Sequence, residues 1–565
     1  MLAFKHLRTP SGSHSTEPAG FARLLTTKLA KVIATAVLAI CFGLLYLQWA
    51  NNNSSARVEG PVPEIIEDLK ATTAVPQRQG RLHLLIPATS SNSDLCKLLL
   101  SAQILGWPTP VLINYGDVEN ADAYVQHLAK VEGILRYLDR LEASEEYEED
   151  LVLIVDGYDI WFQLRPDVLI KRFYETNSAA NAHAVEVYGQ DLVDQYDIKQ
   201  TIIFGPDKLC WPVDFSRPAC WAVPMSPLPE AAFGVTAGAY TNRDNNQARW
   251  LNSGTVMGMA SDLTEVFRTT LDEIHTNHTT DSDQFYFSNV FGLQEYARLS
   301  LKPELLASAK EVAYDDVEDP SEGHRYEPEI QGIKTEYHIG IDYASTMFQT
   351  LAFWKPHLSW SRVIDAWTTS DKAKSVVNPF QMELPDDIKQ SAAPYEALKY
   401  GLDREGHPGW DSIQLVYNVI TRQIPVLLHV TGNPQEKEYR AKWWPKLWFQ
   451  ASAEQLRLAS NKLESREISP EPIAGIHWFN AEPEDAEEIV GAGKGGAWND
   501  RGGWMSWKQL CKNVEEDLYA VYGDDFWHPR PKNETADAEA EAESQVLTTP
   551  DGDAPAEAEM EPATR

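Results

Sequence analysis

The chain has 565 residues, with 83 Asp and Glu against 49 Lys and Arg and a formal net charge of −34. That length suffices for one large domain or two ordinary ones, and the acidic balance argues against a nucleic-acid binder, which needs a basic face. Part of the excess is local: residues 534–565 hold ten acidic side chains and one basic one among Ala, Pro, Thr and Ser, so 531–565 reads as a disordered, solvated tail.

At the other end, residues 32–50 contain no charged side chain and are mostly Ala, Val, Leu and Ile. At a rise of ~1.5 Å per residue this run nearly matches a hydrocarbon core of ~30 Å. Tyr46 and Trp49 lie near its distal end, and Lys5, Arg8, Arg23, Lys28 and Lys31 precede it. The expectation is a signal anchor at 32–50, a cytosolic basic tail at 1–31 and a polar stem at 51–80. The rest would then be lumenal, in a single-pass type II protein of the Golgi or ER membrane. A cleaved signal peptide fits less well, because the run is long and starts deep in the chain. The sequons at Asn52, Asn53, Asn277 and Asn533 fit a lumenal protein. Of five cysteines, Cys41 falls in the anchor. Cys210 and Cys220 are close enough for a short-loop disulfide in an oxidising lumen. The pairing of Cys96 and Cys511 is not readable, and no cysteine has zinc-ligand spacing.

The folded part opens with a strand at 81–89, followed by helical spacing at 95–105, a strand at 111–114 and a helix at 124–141 that carries Lys130. Next comes Leu151-Val152-Leu153-Ile154-Val155, an apolar run that reads as a buried strand and leads straight into Asp156-Gly157-Tyr158-Asp159. Another helix opens at Pro166-Asp167. This β-α-β-α-β order predicts a parallel, three-layer α/β sheet. In such sheets ligands sit beyond the carboxyl ends of the strands. Two carboxylates there, around a Gly that lets the chain turn, can hold a hard divalent cation. Further on are a strand at 201–204, Cys210-Trp211-Pro212, Leu251-Asn252-Ser253-Gly254, Asp281-Ser282-Asp283-Gln284, an apolar stretch around His338, and a strand ending at His429 with Thr431-Gly432-Asn433 after it. Residues 438–530 are rich in Trp and read as an extension packed on the main domain, with an aromatic platform for sugars as the alternative.

Taken singly, each landmark has a plainer reading. Asp156-x-x-Asp159 can be an acidic turn, Asn252-Ser253-Gly254 a turn, Asp281 to Asp283 a helix cap, and His429 a core histidine. His338 competes with His429 as a ligand. Together and in this order, the landmarks resemble the glycosyltransferase domain of the procollagen lysyl hydroxylases and procollagen galactosyltransferases. Cys210-Trp211-Pro212 and the segment from Asp342 to Gln349 match that family as well. The resemblance covers roughly residues 81–440 and places the catalytic domain at 81–437.

The resemblance implies a GT-A-like, Rossmann-type fold that uses a UDP-sugar with Mn²⁺ (or Mg²⁺). Asp156, Asp159 and His429 would be metal ligands, Tyr158 would stack on uracil, and Thr89 and Lys130 would lie near the nucleotide. Asp283 and Gln284 would face the transferred sugar. The residue chemistry agrees. A carboxylate pair with an imidazole suits Mn²⁺. Asn252, Asp281, Asp283 and Gln284 can fix sugar hydroxyls. Gly432 and Asn433 allow close approach of backbone to phosphate, and Lys437 adds charge. The phosphate loop departs from the family pattern, and its acidic run is shorter. The segments around 213–249 and 355–420 are insertions that suit an acceptor side. The function expected is transfer of a hexose to a hydroxyl of a glycan or glycoprotein. The rivals are a non-catalytic lumenal scaffold or carbohydrate-binding protein, and a metal-dependent phosphoester hydrolase.

Overall fold

The computed structural model describes residues 78–117, 123–143, 149–233, 243–280, 282–311, 325–363, 382–399, 408–432, 434–462, 466–482 and 495–519. The expected membrane anchor, the basic and acidic tails, and nearly all of the stem lie outside them. Among the described residues no helix is long and apolar enough to cross a membrane.

The strands in chain order are β1 (Arg78–Pro87), β2 (Val111–Ile113), β3 (Leu151–Val155), β4 (Ile160–Phe162), β5 (Ile202–Asp207), β6 (Trp250–Met259), β7 (Ile339–Ile341), β8 (Phe348–Thr350), β9 (Leu358–Ser361), β10 (Leu415–Asn418), β11 (Leu427–His429), β12 (Ile476–Asn480), β13 (Gly496–Asn499) and β14 (Trp504–Ser506). The main sheet runs β14-β13-β2-β1-β3-β6-β5-β7, with β12 also paired to β1. The long helices are α1 (Ser93–Ile104), α2 (Ala123–Glu142), α3 (Pro166–Tyr188), α4 (Ala260–Thr276) and α5 (Asp283–Ser300). All five residues of β3 are buried, because both faces of the sheet are covered. Leu151, Leu153 and Val155 pack with α1 and α3, while Val152 and Ile154 pack with α2, α4 and α5. The three layers therefore follow from the alternation of β3 side chains.

β1 pairs parallel with β2 and β3, as expected, but the sheet as a whole is mixed. β6 runs antiparallel to both β3 and β5, and β14 antiparallel to β13. The order that predicts a parallel sheet covers only the first three strands, which are joined through helices. β6 instead returns in the opposite sense to β5. That reversal matters for the site: it brings the start of β6 beside the end of β3, and the Asp156 N–H donates to the Gly254 carbonyl at 2.9 Å.

The Trp-rich segment is part of the fold's interior. β12 continues the edge of β1, and β13 extends the sheet beyond β2. Trp443, Trp444, Trp448, Trp478, Trp498 and Trp507 are buried, which leaves them no face for a sugar platform. Cys96 of α1 is disulfide-bonded to Cys511, and Cys210 to Cys220. A second sheet, β4-β11-β8, lies beyond the carboxyl end of β3.

Candidate metal centre

The chain leaves β3 at Asp156 and enters β4 at Ile160, so Asp156 and Asp159 sit at the junction of the two sheets. The chain turns at Gly157 and Tyr158 as expected, and the glycine also supplies room: a Cβ on it would meet the Pro87 carbonyl oxygen at 2.4 Å. β11 pairs antiparallel with β4, placing His429 opposite Ile160. The Val430 N–H donates to the Asp159 carbonyl at 2.7 Å and fixes that register. The motif from Asp342 to Gln349 contributes indirectly. The Asp342 carboxylate accepts from the N–H groups of Thr346, Met347 and Phe348 at 3.0, 2.7 and 2.9 Å. It thereby shapes the turn into β8, which lies beside β11.

The result is a cluster in which one ligand atom from each of Asp156, Asp159 and His429 lies within 4.8 Å of the others. The His429 side chain is 3 % exposed, and its Nε2 is 3.3 Å from Asp159 Oδ1. Both ring nitrogens of His429 and Asp159 Oδ1 are buried without a well-aligned hydrogen bond. Buried polar atoms left in this way are costly unless something binds them. Gly254 lines the same space. A Cβ there would meet His429 Cε1 at 2.2 Å and Asp156 Oδ2 at 2.8 Å. The glycine lets the His429 ring and the Asp156 carboxylate lie against the β6 backbone, and orphaned ligand atoms gathered in this way fit a divalent cation, the mixed oxygen and nitrogen donors suiting Mn²⁺.

Charge is balanced around the cluster. Lys130 Nζ lies 2.8 Å from both Asp156 Oδ1 and Asp283 Oδ2, so a buried lysine links the first carboxylate to the acidic end of α5. Burial works against its charge, but the two carboxylates outweigh it and raise the ammonium's pKa. Burial pushes the Asp159 carboxyl up, yet His429, Arg440 and Lys437 together hold it at about 2. Burial lowers the His429 imidazole, and Asp159 and Asp156 more than reverse this, leaving it raised.

The other expected residues are placed as follows. Tyr158 donates to the Ser90 carbonyl at 3.0 Å, which ties it to the turn after β1 where Thr89 lies. Gln284 Oε1 accepts from the Ser253 N–H at 3.4 Å, so α5 and β6 meet at the expected sugar side. Asn252 is buried, accepts from the Gly254 N–H at 3.0 Å and donates to Asp207 at 3.4 Å. Gly432 follows β11, and Lys437 is exposed, acting on Asp159 through charge alone. Asp281 and Asn433 lie outside the described residues. His338 is not at the centre. Its ring nitrogens face Asp197 at 3.2 Å and Asp262 at 3.5 Å.

Two residues at the site escaped the sequence reading. Asp207 ends β5 and bonds Asn252 and Gln284, and burial pushes its carboxyl up to about 6. The signal for it was present, since it closes an apolar strand just as Asp156 does. Arg440 reaches Asp159 Oδ2 at 3.2 Å from a segment assigned to the extension, and nothing in its local sequence marked it. No protein-family model matches this chain, and neither does any curated protein.

Proposed function

We propose that the chain is a metal-dependent glycosyltransferase of GT-A type, moving a hexose from a UDP-sugar to a hydroxyl of a glycan or glycoprotein. The observation that carries this reading is the meeting of Asp156, Asp159 and His429, from segments 270 residues apart, next to Asp283, Gln284 and Asn252. The ordered motifs that resemble the procollagen glycosyltransferases supply the donor class.

Transfer breaks the bond between the anomeric carbon and a phosphate oxygen and forms one to the acceptor oxygen, which gives up its proton. The bonding pair departs with UDP. A bound Mn²⁺ or Mg²⁺ supplies neutralisation of the charge that builds on the diphosphate. Asp156, Asp159 and His429 would hold it. Lys130 keeps Asp156 and Asp283 in fixed relation, and Asp207 holds Asn252 and Gln284 where sugar hydroxyls can be received. Tyr158 and the turn at Thr89 form the side open to the nucleotide. Two disulfides and an exposed Asn277 sequon support an oxidising, lumenal setting.

The test is a donor screen. The full-length protein in detergent is incubated with Mn²⁺, each of a panel of UDP-sugars and a mixed set of glycan acceptors, and UDP release is read. Release that depends on both metal and acceptor is expected. Release independent of acceptor would point to a hydrolase, and nucleotide binding without turnover to a scaffold.

A further inference from the structure

Arg440 sits on the short helix Tyr439–Trp443 and uses its whole fork. Nε donates to the Val430 carbonyl at 3.2 Å, Nη1 lies 3.2 Å from Asp94 Oδ2, and Nη2 lies 3.2 Å from Asp159 Oδ2. A planar guanidinium engaged on three sides has no freedom to swing, and a lysine cannot reproduce the pattern. Its three partners come from three parts of the site. Val430 directly follows His429, and Asp94 belongs to the first turn of α1, just past the turn that holds Tyr158. Asp159 is the candidate ligand itself. With Oδ2 taken by Arg440, Oδ1 is turned toward His429 Nε2 at 3.3 Å and is left without a hydrogen bond of its own.

We propose that Arg440 is a positioning residue: by fixing Asp159 Oδ2 it presents Oδ1 to the cation and ties the nucleotide-side turn of α1 to the metal centre. This inference rests on the metal-centre reading above. It makes an unusual demand, because a positive charge beside a cation site ought to oppose metal binding. On charge alone, Arg440→Gln tightens Mn²⁺ and Arg440→Lys leaves it unchanged. On the positioning account both weaken it, since both lose the fork.

Mn²⁺ binding to the full-length protein is measured without nucleotide, by the electron paramagnetic resonance signal of free Mn²⁺, alongside Tm in chelator. The expected result is a loss of affinity of roughly 10–100-fold for both Arg440→Lys and Arg440→Gln, the range seen when groups that orient ligands are removed. Affinity in Arg440→Lys within about twofold of the parent overturns the proposal, whatever happens to Tm. If neither variant folds, Asp94→Asn, which frees the outer end of the guanidinium, is read in the same way, and unchanged affinity is again fatal. A parent protein that binds no Mn²⁺ sinks the metal-centre reading itself and is thereby distinguished from failure of the Arg440 role alone.

Discussion

Gly254 shows how closely the centre depends on single atoms. The space over its Cα is occupied by His429 Cε1 and Asp156 Oδ2, so Gly254→Ala forces the imidazole or the carboxylate aside. Mn²⁺ affinity is expected to fall by at least tenfold, because ligands must sit within a few tenths of an ångström of their distances. Calorimetric Mn²⁺ titration checks this, and unchanged affinity would place the cation elsewhere. Lys208 makes the opposite point about a buried charge. It is fully buried, donates to the Asp244 carbonyl at 2.6 Å, and sits 3.9 Å from the Phe233 ring and 4.2 Å from that of Trp354. Burial brings its ammonium down to about 6, with Asp244 opposing. An unfolded lysine keeps its proton to ~10.4, so between these values the unfolded chain binds more protons than the native one. Stability therefore rises with pH across that window. Lys208→Met should remove this slope and be more stable near pH 6, by on the order of 2 kcal/mol once the cation–π contacts are offset. Asp244 keeps a partner in that variant, since His357 Nε2 lies 2.8 Å from its carbonyl. Melting curves from pH 6 to 9 decide it, and parallel curves for the two proteins would show that Lys208 stays protonated in the fold.

At the scale of elements, three strands determine whether the centre exists. β3 leads into the two carboxylates, β6 enters in reverse to bring Gly254 against them, and β11 delivers His429 by pairing with β4. The C-terminal strands perform a different task. β12 and β13 complete the sheet edge beside β1 and β2, and Cys511 is bonded to Cys96 of α1 across a sequence separation of 415 residues. Closing so long a loop restricts the unfolded chain, and such a bond contributes about 2–4 kcal/mol. Cys511→Ser should therefore lower stability by about that much. Because α1 also carries Asp94, a partner of Arg440, the loss should reach the site as weaker Mn²⁺ binding. Denaturant unfolding under non-reducing conditions measures the first effect, and a midpoint equal to the parent's would mean that packing of Trp444 and Trp448 alone secures the C-terminal segment.

Across the whole molecule, what was legible in the sequence was local. The apolar run of β3, the two aspartates after it and the apolar run ending in His429 stand out because burial dictates composition over a few residues. What was not legible depended on distant pairing. The reversal of β6, the Cys96–Cys511 bond and the approach of Arg440 to Asp159 join segments whose own residues carry no mark of their partners. The Trp-rich segment reads as a packed extension, and the burial of its tryptophans agrees; what its residues do not show is that β12 and β13 join the main sheet itself.

His429 carries the central claim, since only a fold that returns β11 to the end of β3 can bring it to Asp159. Neutral imidazole must displace a proton to bind metal, and the neighbouring carboxylates raise the pKa of this one, so proton competition reaches to higher pH than for an ordinary histidine. The most direct measurement is a Mn²⁺ titration of UDP-sugar turnover, at several pH values, for the parent protein, His429→Ala and His338→Ala. The account predicts that His429→Ala raises the Mn²⁺ requirement on the order of 10–100-fold and removes the weakening of metal affinity at low pH, while His338→Ala does neither. Equal, small effects of the two substitutions, or a dominant effect of His338→Ala, would contradict it.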